Sequence, residues 1–233
     1  MGKGNLSADL QQLASILQKE KICFDTTPLK NVIGDLKKNQ GTYNLQKLKL
    51  KIDAVPNNTR PSVTSLEILL NVQIAESVSN ENNICNPIST YNFSIEIVGK
   101  NEGKTVHSSW HLDYDNAVDS ECMHPSFHLT YGGKTMKSTE LGNVLLLPAP
   151  RISYPPMDAI LGVDFVLSNF VKKDTYNKIK ADSQYKAAVR RSQQRLWRPY
   201  MLSVANHWCK FTNCQHFSIN NNLGKEYQPT LID

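Results

Sequence analysis

Two segments with histidines on alternate positions constrain this chain most. In the first, Val106, Trp110, Leu112 and Tyr114 share one parity, and His107, Ser109, His111, Asp113 and Asp115 share the other. In the second, Phe127, Leu129 and Tyr131 alternate with Ser126, His128 and Thr130. Successive side chains of a strand point to opposite faces. If the large apolar residues of both segments face one core, His107, His111, Asp113 and His128 share the opposite, polar face.

The same period recurs before these segments. Leu48, Leu50 and Ile52 alternate with Lys47, Lys49 and Lys51, which reads as a half-buried strand with lysines outside. Leu66 to Ile74 and Tyr91 to Ile97 continue the pattern, with turn signals at Pro56–Pro61 and Gly99–Gly103. Val144–Leu147 reads as a sixth strand after a Gly-rich hairpin loop from Gly132 to Asn143. Six strands with short connections predict an antiparallel sheet, polar on one face and covered by helices on the other.

Helical spacing frames the sheet. Leu6, Leu10, Leu13 and Leu17 form one stripe, and Thr27-Pro28 opens a second helix with Thr27 as N-cap. Asp158–Phe170 is apolar nearly all round, which predicts a buried helix. Asp164 inside it needs a partner, and Arg151 is the nearest cation in sequence. A long basic helical pattern follows, with Tyr185, Val189, Ser192, Leu196 and Tyr200 on one side. The expectation is a single α+β domain over residues 1–233. It has an N-terminal helical pair over 1–41, the sheet over 44–148, C-terminal helices over 155–216 and a polar tail over 217–233.

No apolar run approaches the roughly 20 residues of a membrane span. The first ten residues hold no apolar core segment of a secretory signal. Five cysteines without a framework spacing fit reduced thiols, so the expected compartment is cytoplasmic. Charge is the sharper signal. Between Lys172 and Arg198 there are nine Lys or Arg and two Asp, a surplus of +7 against +5 for the whole chain. Arg191, Arg195 and Arg198 fall at i, i+4 and i+7, and with Lys186 and Arg190 they are the candidate contacts to nucleic acid or an acidic protein.

Two other groupings carry chemistry. His111 and Asp113, two apart on a strand, could supply two ligands of a divalent metal, with His128 from the neighbouring strand as the third. The pair resembles the His-x-Asp pair of the iron- and 2-oxoglutarate-dependent oxygenases, and Arg151-Ile152-Ser153 resembles their Arg-x-Ser motif. The resemblance covers only these residues. No histidine lies between His128 and His207, where that family places its second histidine ligand. His111, Asp113, His128 and Arg151 are therefore candidates for an enzymatic site of unnamed class. His207, Cys209, Cys214 and His216 place four zinc-type donors within ten residues, but gaps of one, four and one residue suit a tetrahedron poorly. No phosphate loop, Gly-x-Ser-x-Gly or dinucleotide fingerprint occurs.

The leading expectation is a binding module or non-catalytic subunit that contacts nucleic acid or an acidic protein through its basic C-terminal helix. The second is a metal-dependent enzyme, such as a hydrolase acting on nucleic acid, using the His/Asp cluster. The third is a structural subunit of a larger assembly.

Overall fold

The computed structural model describes residues 5–39, 41–53, 55–57, 59–76, 83–115, 124–132, 136, 151–209, 218–219 and 221–229. The chain opens with α1 (Asn5–Lys19) and α2 (Thr27–Lys38), then β1 (Thr42–Ile52) and β2 (Leu66–Glu76). After β3 (Asn83–Ile84) come β4 (Ile88–Asn101), β5 (Lys104–Tyr114), β6 (Phe127–Tyr131) and β7 (Ile152–Ser153). The helical part comprises α3 (Ala159–Phe170), α4 (Lys173–Ala181), α5 (Ser183–Ser192), a π turn (Gln193–Trp197) and α6 (Arg198–Cys209). A short β8 (Ser218–Ile219), parallel to β3, and α7 (Asn221–Tyr227) complete it.

Six strands form one antiparallel sheet in the order β1-β2-β4-β5-β6-β7. Its sixth strand is Ile152–Ser153, in the proline-rich corner, paired with His128 and Leu129. The strand expected at Val144–Leu147 lies outside the described residues. In β1 the parity of the buried residues shifts between Leu45 and Leu48, where a bulge interrupts the pairing with β2. Lys47 adopts φ +52° there, and its N–H donates to Asn71 Oδ1 at 2.8 Å instead of to the ladder.

One sheet face carries Leu50, Ile68, Leu70, Val72, Phe93, Ile95, Leu112 and Phe127, all buried. Helices cover it. The stripe Leu6, Leu10, Leu13 and Leu17 of α1 is buried as its spacing predicts, and burying each such leucine contributes about 1.5–3 kcal/mol. α2 packs on β1, and α3 packs on β2. At Gly162 the helix comes so close that a Cβ there would stand 2.7 Å from Phe93 Cε2. Only glycine permits that approach.

α2 begins one residue after Thr26. The cap differs from the sequence expectation, because Asp25 Oδ1 accepts from Thr27 N at 2.9 Å in place of a threonine hydroxyl. The Pro156–Ala159 segment ties the layers together. Tyr91 Oη donates to Met157 O and accepts from Met157 N, both at 2.8 Å, and Ala159 N donates to Tyr43 Oη at 3.0 Å. From the other side Trp197 Nε1 donates to Pro156 O at 2.9 Å.

The chain after Phe217 is not merely a polar tail. Tyr227 of α7 is buried and stacks on Tyr200 with ring centroids 4.5 Å apart, and Glu226 O accepts from Ser126 N. Among the described residues no helix is long and apolar enough to cross a membrane.

Candidate functional site

The face of the sheet opposite the helices carries two polar rungs. The strand register aligns Asn44, Gln73, Asn92, Asp113, His128 and Ser153 in one rung across all six strands. The next rung holds Asn71, Ser94, His111 and Thr130, with Asn71 Nδ2 donating to Ser94 Oγ at 3.2 Å. His107, His111 and His128 thus share one face, and Trp110 and Phe127 lie on the other, as the alternation predicts.

Asp113 is the centre of this face. Its Oδ2 lies 3.1 Å from His111 Nε2 and 3.9 Å from His128 Nε2. The hydrogen bond from Asp113 pushes the His111 pKa up, against partial desolvation. His128 goes the other way: burial pushes its pKa down, although the Pro125 carbonyl and Asp113 oppose this. His128 Nδ1 is 3.0 Å from Pro125 O. A carbonyl can only accept, so Nδ1 carries the proton and the neutral ring presents its Nε2 lone pair toward Asp113.

His124 completes the cluster. Its ring stands edge-to-face against His128, with centroids 4.3 Å apart, and its Nε2 is 3.8 Å from Asp115 Oδ2. Among the described residues its Nδ1 and the Thr130 hydroxyl, both buried, have no hydrogen-bond partner. Sequence reasoning did not place His124 here, because it precedes the strand and so has no alternation to assign it a face. Arg151 is exposed and close enough for its charge to lower the His128 pKa.

The facing atoms of His111 and Asp113 bond each other, and among the described residues no group of three or more His, Cys, Asp or Glu could hold an ion. His207 and Cys209 lie exposed at the end of α6, and Cys214 and His216 fall outside the described residues.

The basic stretch is helical, in more than one piece. Asp182 ends α4 and caps α5, its Oδ1 accepting from Gln184 N and Tyr185 N at 2.9 Å. The π turn then rotates the face carried into α6. Two of the three arginines expected on one open face are engaged inside the protein. Arg191 makes a two-pronged bond to Asp9 of α1, Nε to Oδ2 at 2.9 Å and Nη2 to Oδ1 at 2.5 Å. Arg195 Nη2 bonds Asp158 Oδ2, and its Nε lies 3.2 Å from Glu76 Oε1. Burial opposes the Arg195 charge, yet Asp158 and Glu76 more than offset this and raise its pKa.

Asp164 is half-buried rather than buried, and tyrosines bind it. Its Oδ1 accepts from Tyr185 Oη at 2.8 Å and Tyr176 Oη at 3.0 Å. Lys172, Lys173, Lys178, Lys180, Lys186, Arg190 and Arg198 are exposed, with Lys178 bound to Glu20 at 2.6 Å and Lys180 lying over the Tyr176 ring. Lys186 and Arg190 stand one turn apart on α5.

Comparison with protein families, with characterised proteins and with solved structures finds no match to this chain.

Proposed function

We propose that this chain is a binding module that meets nucleic acid through the exposed basic surface of α4 and α5. One observation carries the reading: of the two acidic residues between Lys172 and Arg198 only Asp174 is exposed, against the exposed Lys172, Lys173, Lys186 and Arg190. Such a surface attracts a phosphate backbone chiefly by releasing its condensed counterions. Arg191 and Arg195 are assigned to structure, because each is held by carboxylates from other elements. Fluorescence anisotropy with labelled DNA and RNA at low salt tests the reading. Binding by the wild type and its loss in Lys186→Glu/Arg190→Glu support it. No binding by the wild type refutes the nucleic-acid reading and leaves an acidic protein, sought by co-purification.

A second reading is favoured by the opposite pKa shifts of His111 and His128 around one carboxylate. Groups whose environments drive their pKa values apart can act as acid and base at one pH. In this reading the imidazoles themselves do proton-transfer chemistry, His111 donating and His128 accepting. Hydrolysis of p-nitrophenyl esters or phosphodiesters above the rate of His128→Ala supports it. Equal rates for the two proteins count against it.

A further inference from the structure

We propose that a cavity at the far end of the helix-covered sheet face binds a small amphipathic carboxylate. The cavity, of about 370 Å³, lies between Phe170 at the end of α3, the strand ends, and Pro56, Thr59, Arg60, Pro61 and Val63. Leu66, Ile97 and Val106 line it from the sheet, and Val63 and Phe170 also line it. Gly99 lets the overlying segment approach, since a Cβ there would stand 3.0 Å from Val63 Cγ1. Its volume falls at the small end of the roughly 300–1,000 Å³ range of ligand sites, whose walls are mostly apolar with a few placed polar groups.

Thr59, His107, Ser108 and Asn169 also line the cavity, and Arg60 brings a guanidinium to it. Its Nη1 donates to Asn57 O at 3.1 Å and Thr59 O at 2.9 Å, which holds the guanidinium on its own loop. No carboxylate pairs with it among the described residues, so Nε and Nη2 remain to grip an anion. A planar, fixed guanidinium beside an apolar wall matches a carboxylate joined to an aromatic or branched hydrocarbon body. A purely apolar ligand leaves Arg60 unused. The proposal is independent of the basic surface on α4 and α5.

The probes are 3-phenylpropanoate and its uncharged twin 3-phenylpropan-1-ol, titrated into the whole chain and followed by amide chemical shifts. Saturable shifts confined to residues around the cavity are expected for the acid, with the alcohol at least about tenfold weaker, as for a lost charged hydrogen bond. Arg60→Gln should bring the acid to the affinity of the alcohol. Val106→Trp, which fills the cavity, should remove both, and its dispersed amide spectrum verifies that it folds. Equal binding of acid and alcohol overturns the proposal. So does a shift pattern away from the cavity, or the absence of saturation by about 10 mM.

Discussion

The Asp158 carboxylate, 1% exposed, joins the first turn of α3 to Arg195 in the π turn. Its Oδ1 accepts from Leu161 N at 2.9 Å as the helix cap, and its Oδ2 accepts from Ser192 Oγ at 2.8 Å and from Arg195. One side chain therefore closes the N-terminus of the central helix and fixes the C-terminal helix against it. Removing it as Asp158→Ala leaves the Arg195 guanidinium with Glu76 as its remaining carboxylate among those described. The expected loss is about 3–5 kcal/mol, read as a lower urea midpoint. A midpoint equal to wild type contradicts this.

Gly162 gives a second stability test, free of charge effects. Gly162→Ala forces Phe93, Leu70 or the helix to move, because the new methyl would start 2.7 Å from Phe93 Cε2. Overpacking of this kind costs about 1–3 kcal/mol. Gly34, where a Cβ would meet nothing within 4 Å among the described residues, is the control: Gly34→Ala should be neutral or stabilising.

The tyrosines around Asp164 predict how the fold fails at high pH. Desolvation first, and then Asp164, pushes Tyr176 up to about 12, and the same causes raise Tyr185 further. A folded-state pKa above the unfolded value near 10 leaves stability intact below pH 10. That stability falls as pH rises toward 12. Tyrosinate absorbance should therefore lag behind free tyrosine and rise together with loss of far-UV ellipticity. Asp164→Asn should bring Tyr176 ionisation to lower pH and cost about 1–3 kcal/mol at neutral pH. Ionisation of Tyr176 near pH 10 in the folded protein contradicts the arrangement.

At the sheet face, NMR titration of the imidazole protons should find His111 above the usual 6.5 and His128 below it. The signs for stability differ. His111 contributes most below 6.5 and loses its contribution as pH rises through its folded pKa. His128, neutral in the fold, contributes above 6.5 and loses its contribution as pH falls. In Asp113→Asn the His111 value should drop toward 6.5. An unchanged His111 titration in that variant contradicts the hydrogen bond as the cause.

Local pattern made the sheet and its faces legible: period two placed His111, Asp113 and His128 together without any knowledge of tertiary contacts. The basic stretch was less legible. Helical spacing put Arg191 and Arg195 on one face but could not say which face looks inward. That depends on Asp9, Glu76 and Asp158, which arrive from distant parts of the chain. Leu223 and Tyr227 alone mark α7 as a docked helix, too few apolar positions to separate it from a tail. The π turn leaves no trace in a count of i, i+4 positions.

The nucleic-acid reading rests on Lys186 and Arg190 meeting phosphates, and a salt series tests it most directly. Each phosphate contact adds roughly −0.9 to the log–log slope of affinity against salt for duplex DNA. Lys186→Ala/Arg190→Ala should therefore flatten the slope by about two units without shifting the urea midpoint. Lys49→Ala/Lys51→Ala is the control, because those lysines pair with Glu67 and Asp53 on the sheet. It should leave the slope unchanged. A slope that stays the same in the folded Lys186→Ala/Arg190→Ala variant contradicts the account.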